Sequence, residues 1–160
     1  LHFTDELFVH LRSGGVHTAM VTLHVGMGTF LPLTVDALAD HPMHDEWFEM
    51  TVDAATEINA CRMRGGRVIA VGTTSVRVLE SCADDSATVQ PGTGRTKLLI
   101  YPPYRFKVID ALLTNFHLPR STLLALVMAL GGEELIREAY GHAIGSDYRF
   151  YSYGDAMLVV

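Results

Sequence analysis

The chain has 160 residues, enough for one domain with its own core, and 49% of them are hydrophobic. A formal net charge of −6 argues against a protein that holds nucleic acid through a generally basic surface, so any contact with RNA has to be local. The longest apolar run, residues 123–130, is far short of the roughly 20 residues a membrane-spanning helix needs, and no cationic and apolar leader opens the chain, so a cytoplasmic protein with no membrane partner is expected.

In chain order, residues 4–12 predict a helix with Thr4 as its cap, Asp5 and Glu6 in its first turn, and Leu7, Phe8 and Leu11 on its apolar side. Residues 19–25, AMVTLHV, predict a strand. Residues 51–64 predict a second helix closed by Gly65 and Gly66, and residues 68–71 a short buried strand. The GTTS of residues 72–75 turns into a helix with Val76, Leu79 and Cys82 on related faces. Residues 97–100 and 111–113 are further strand candidates. Residues 121–130 read as a fully apolar helix, 133–144 as an amphipathic one with Leu135, Ile136, Ala139, Tyr140, Ala143 and Ile144 on one stripe, and 157–160 as a last strand. Helices alternating with short, continuously apolar strands imply an α/β fold, a three-layer sandwich with a mainly parallel sheet covered on both faces, in a single unit spanning residues 1–160. No strand precedes the first helix, so the chain is expected to begin inside a larger domain. Cys61 and Cys82 are far apart and form no C-x-x-C pair, which speaks against a disulfide framework or a thiolate metal site.

In open α/β sheets ligands gather beyond the carboxyl ends of the strands. After residues 19–25 comes GMGTF, where Gly26 and Gly28 either let backbone approach a ligand closely or make a plain turn. After residues 68–71, Thr73, Thr74 and Ser75 stand at a helix N-terminus, whose free amides and dipole suit a carboxylate or phosphate, or need only a cap. HPMHDE, residues 41–46, offers the zinc-ligand types His41, His44 and Glu46, but Pro42 forbids a helix interior and HExxH is absent, so no metal is expected. His44 and Glu46 lie two apart on an extended segment, a spacing that could serve proton transfer. In DALLTNFHLPRSTLL, residues 110–124, Pro119 biases Leu118 away from helix, so the chain leaves a strand, bends through Asn115 and His117 and enters the apolar helix. A catalytic histidine and a satisfied core histidine both fit that position. Small basic groups at Arg62, Arg64 and Arg67, and at Arg95, Lys97, Arg105 and Lys107, are ordinarily solvated faces. Neither a GxSxG elbow nor a GxxxxGK[ST] loop is present.

Six stretches, LHFT (1–4), VTLHVGMGTF (21–30), MHDE (43–46), GGRVIAVGTTSVRVLES (65–81), YPPYRFKVIDALLTNFHLPRSTLL (101–124) and YRFYSYGDAMLVV (148–160), follow one another from one end of the chain to the other. They resemble the S-adenosylmethionine:tRNA ribosyltransferase-isomerase family of queuosine biosynthesis. The resemblance implies an enzyme that transfers and isomerises the ribosyl moiety of S-adenosylmethionine onto 7-aminomethyl-7-deazaguanine at the tRNA wobble position. The product would be epoxyqueuosine-tRNA, with adenine and methionine released. S-adenosylmethionine is then a substrate, tRNA the partner, no metal is involved, and the protein is a cytoplasmic monomer. Family members carry a β-barrel inserted in a larger α/β domain, and this chain looks like the C-terminal portion of that domain without the barrel, which leaves its own activity open. Leu31 stands where arginine is common, and Pro103 where glycine is common.

The implied chemistry needs a base for the sugar methylene beside the sulfonium and a proton donor for the leaving adenine. Matching motifs supply His24, Glu46, His117 and Asp155. The resemblance points to His117 and His24 for proton transfer, with Glu46 behind them, and to Asn115 for orienting a histidine or binding ribose hydroxyls. Thr73, Thr74 and Ser75 would take the methionine carboxylate, and Gly26 and Gly28 the nucleoside. Asp155 would contact substrate or close a turn. Tyr148, Phe150, Tyr151 and Tyr153 belong to the core by type, although an exposed ring could stack on a flipped base. A non-catalytic nucleoside- or tRNA-binding module, and a metal-dependent hydrolase built on His41, His44 and Glu46, are the alternatives.

Overall fold

The computed structural model describes residues 3–26 and 37–160. Gly28 and Leu31 lie outside these residues. The elements run α1 (Asp5–Ser13), β1 (Thr22–Leu23), a 3-10 turn (Leu38–Asp40), β2 (Glu46–Met50), α2 (Val52–Met63) and β3 (Ile69–Val71). They continue with α3 (Thr73–Cys82), β4 (Gly92–Thr96), β5 (Ala111–Thr114), α4 (Thr122–Gly131), α5 (Glu133–Gly145) and β6 (Met157–Val159). Three helices start where a hydroxyl can cap them. Thr4 accepts from the amide of Leu7 at 3.2 Å, Thr51 from Ala54 at 3.2 Å, and Ser121 from Leu124 at 3.1 Å.

The strands form two three-stranded sheets, ordered β1-β2-β4 and β3-β5-β6. The α/β class stands, but among the described residues the parallel pairing expected across a sheet is confined to β3 with β5; β1–β2, β2–β4 and β5–β6 are antiparallel. The strand expected at residues 97–100 is displaced to β4, whose GTGRT sequence has no apolar alternation. Packing explains the shift. Gly94 pairs with Phe48, and a Cβ at position 94 would sit 2.9 Å from the Phe48 ring, so only glycine lets this strand lie against β2. The ladder stops at Thr96, whose hydroxyl bonds Ser81 at 2.7 Å and takes the amide of Leu98 at 3.1 Å.

Helix α3 touches strands of both sheets and joins them. On the second sheet Ala70, Leu112 and Val159 point inward and pack with Val76 and Leu79 of α3, Leu126 and Val127 of α4, and Ile136 and Ala143 of α5. The strand period of two puts Ile69, Val71 and Leu158 on the opposite face, where they are half-exposed while Ala111 between them is buried, so among the described residues the cover expected on both faces is full on one only. Between β4 and β5 the chain winds around the buried carboxylate of Glu80. One Glu80 oxygen accepts the amides of Val108 at 3.0 Å and Ile109 at 3.4 Å, and the other takes the amide of Lys107 at 2.9 Å and the Tyr104 hydroxyl at 3.3 Å. Burial and the neighbouring Glu80 charge push the Tyr104 phenol up to about 12.

Candidate active site

The expected residues fall into three clusters, two on or against α3 and one following β5. The first lies on the antiparallel sheet. As the chain leaves β1, the His24 amide donates to the Trp47 carbonyl at 2.8 Å and the exposed imidazole rests against the indole, with centroids 4.6 Å apart. Two residues on, the Gly26 amide donates to Glu46 Oε1 at 2.8 Å. Glu46 opens β2, is 2% exposed, and its other oxygen pairs with Nη1 of Arg77 on α3. The Arg77 guanidinium, equally enclosed, also donates from Nε to the Leu98 carbonyl at 3.1 Å. His24, Gly26 and Glu46 are thus brought together, with Arg77 as the cation that permits a carboxylate there.

Arg77 is the residue that sequence reasoning passed over. Its signal was a cation inside a run of Val76, Val78 and Leu79 that helical periodicity sends into the core, where a charge requires a buried partner. His44 does not join this cluster: it is exposed, while Glu46 faces inward to Arg77, so the two do not share a proton-transfer position. Among the described residues, no group of three or more His, Cys, Asp or Glu side chains is arranged to hold a metal ion.

The second cluster is the N-terminus of α3. Gly72 adopts φ 84°, a left-handed conformation that lets the chain turn from β3 into the helix, and its amide donates to the Leu113 carbonyl of β5 at 2.8 Å. As N-cap it has no side chain to offer the first-turn amides. Ser75 spends its hydroxyl proton on the Val71 carbonyl at 2.8 Å, which closes the turn locally. Thr73 is buried and Thr74 half-buried, both over the positive end of the helix.

The third cluster follows β5. Thr114 is buried, and its hydroxyl meets His117 Nε2 at 2.9 Å. The His117 amide donates to the Tyr140 hydroxyl at 2.8 Å. Burial pushes the imidazole down to about 4, so it is neutral at pH 7. Asn115 donates from its amide to the Asp155 carbonyl at 2.9 Å, and the Asp155 carboxylate takes the Arg149 backbone N–H at 2.6 Å and Nε at 3.1 Å. Each member of the Thr114, Asn115 and His117 trio therefore has a partner inside the fold. Because β3 and β5 are parallel neighbours, Thr73–Ser75 and Thr114–His117 emerge at the same carboxyl edge. The hydrogen-bond partners of His117 sit on β5 and α5, away from His24 and Glu46 on the other sheet. A depression of about 360 Å³ lined by Phe48, Ser81, Asp84 and Pro91 lies at the far end of α3 and includes none of these residues.

The lowered His117 value has a consequence for stability. The unfolded chain protonates this group near 6.5 and the folded chain only near 4. The unfolded state therefore binds more protons between these values, and stability falls as pH drops through that window, is complete above it, and loses no more below it. The contribution is up to about 3 kcal/mol. Urea unfolding at pH 7 and at pH 4 should show His117→Gln losing that much less stability on acidification than the parent chain.

A family model described as queuosine biosynthesis protein matches residues 1–159. The S-adenosylmethionine:tRNA ribosyltransferase-isomerase of Sphingopyxis alaskensis is 58% identical over 160 residues, covering 100% of this chain and 46% of its own length. The protein of the same name from Symbiobacterium thermophilum is 56% identical over 160 residues, covering 47% of its length. Among solved structures, the S-adenosylmethionine tRNA ribosyltransferase of Thermotoga maritima superposes with a TM-score of 0.82 at 44% identity, over 99% of this chain and 50% of that one. The chain spans about half the length of the relatives it matches. With identity at this level along its entire length and the fold held in common, the chain belongs to the queuosine biosynthesis protein family.

Proposed function

We propose that this chain contributes part of the active site of an S-adenosylmethionine:tRNA ribosyltransferase-isomerase. The ribosyl group of S-adenosylmethionine would pass to the aminomethyl group of 7-aminomethyl-7-deazaguanine at the wobble position and be isomerised to the epoxyqueuosine product, releasing adenine and methionine. The observation that carries this reading is likeness to enzymes of that name across the whole chain. The geometry supports it, since uncapped helix amides and a neutral imidazole share one carboxyl edge.

In this reading the amides of Thr73 and Thr74 take the methionine carboxylate, and Ser75 holds the turn that presents them. His117 is unprotonated at neutral pH, and burial that makes it a weak base makes its conjugate acid a strong one, which suits donation of a proton to the departing base. His24, open to solvent beside Trp47, is the second proton-transfer group. Glu46 acts by holding the Gly26 backbone where a nucleoside approaches. Asn115 and Asp155 set the wall behind His117.

The test incubates the chain, and separately a full-length relative carrying the same substitutions, with S-adenosylmethionine and tRNA bearing the precursor base. Free adenine and RNA mass gain are measured. His117→Ala and His24→Ala are each expected to slow adenine release by roughly 10²- to 10⁴-fold. Release at the parental rate in both variants removes these assignments. The binding-module reading predicts ligand binding with no adenine formed. Loss of activity to a chelator would instead favour the hydrolase reading.

A further inference from the structure

The loop before β6 spends its aromatic residues unevenly. Phe116, Tyr140 and Phe150 pack together with centroids 5.4 to 5.8 Å apart, whereas Tyr151 is 49% exposed and Tyr153 71% exposed. The exposed pair does not sit on a loose tip. The Tyr151 amide donates to the Phe116 carbonyl at 2.9 Å, Arg149 is held to Asp155, and Asn115 is tied to the Asp155 carbonyl. These ties fasten the loop to the residues immediately before His117. Tyr151 also adopts φ 57°, a left-handed conformation that a bulky side chain disfavours and that glycine or asparagine would take more easily. The ring is therefore kept at that position against its own backbone preference.

We infer that Tyr151 and Tyr153 form an aromatic platform on which an unpaired base of the RNA substrate stacks at the rim of the site, an inference that rests on the function proposed above. The two rings meet edge to face, 6.4 Å apart at 82°, so each braces the other while faces remain open. An exposed platform suits single-stranded RNA, whose splayed bases stack on aromatic side chains. A free nucleoside, in contrast, binds in a concave pocket that encloses most of its surface. The chain carries a net charge of −6, so RNA is held by local groups, and Arg149 presents a largely exposed guanidinium in the same loop.

The test titrates the chain into a fluorescently labelled hairpin RNA with an unpaired anticodon loop, and into a blunt duplex of equal charge, by anisotropy. S-adenosylmethionine binding is followed separately by calorimetry. Tyr153→Ala and Tyr151→Gly are each expected to weaken hairpin binding by about 5- to 150-fold. Duplex and S-adenosylmethionine binding should stay unchanged, and Tyr153→Phe should bind like the parent, because the ring face and not the hydroxyl makes the contact. Tyr151→Gly relieves the backbone and should melt no lower than the parent, which separates lost stacking from lost fold. Parental hairpin affinity in both truncations overturns the platform and leaves the proposed function standing. Loss of S-adenosylmethionine binding in Tyr153→Ala overturns the assignment to RNA. A full-length relative that binds neither RNA nor S-adenosylmethionine overturns both readings.

Discussion

Replacing Arg77 with alanine is expected to destabilise the folded chain by about 3–5 kcal/mol, because it strands the Glu46 carboxylate in the interior. Both side chains of this pair are at most 5% exposed, so water cannot take over when one partner goes. For a chain of this size such a loss corresponds to a fall of roughly 6–20 °C in Tm. The cost belongs to the orphaned charge more than to the pair. A double variant, Glu46→Leu with Arg77→Met, should therefore recover much of the stability lost in the single one. Urea unfolding of the parent, Glu46→Leu, Arg77→Met and the double variant closes the cycle and gives the coupling directly. A single-variant loss below about 1 kcal/mol would place the pair in the range of exposed ion pairs and end its role as a buried clamp. The double variant also separates fold from function: it leaves the Gly26 amide without the Glu46 carboxylate, so the proposed function predicts that a full-length relative carrying the same changes releases adenine more slowly even where stability returns.

Glu80→Ala should cost about 3–6 kcal/mol, since three backbone amides lose an acceptor they cannot replace. Val108 and Ile109 are 1% and 6% exposed, so solvent does not reach their N–H groups. Glu80→Gln keeps one acceptor oxygen but turns an NH₂ donor toward donors, and should cost less than alanine while still destabilising. Amide hydrogen exchange checks the mechanism. Lys107, Val108 and Ile109 should lose protection selectively, before the amides of β5. Retained protection at all three would show that the loop is held by its apolar contacts alone. The result bears on the resemblance as well. The stretch YPPYRFKVID matches the family closely, yet much of it serves to wind the chain around Glu80 and deliver β5, which carries Thr114 to the site.

The parts of this fold legible in the sequence are those whose causes act within a few residues. Thr4, Thr51 and Ser121 announce α1, α2 and α4 because a cap and the amide it serves are three apart. The apolar runs before GTTS and TNFH announce β3 and β5, and their parallel pairing puts Thr73 and His117 at one edge, as expected of an α/β fold. The family, too, was readable from ordered motifs. Tertiary structure alone decided the rest. Strand β4 exists because Gly94 fits beneath Phe48, a contact across 46 residues that local propensity opposes. Glu46, which sequence offered as a base or a metal ligand, became the partner of a cation 31 positions away. Asn115 found its partner 40 positions on, in the Asp155 loop. His117 could be read as catalytic or as core from sequence, and only its enclosure keeps it neutral well below the usual histidine range. Propensity, capping and periodicity are local free energies and can be read along the chain, whereas desolvation and charge pairing depend on which distant residues the fold brings together.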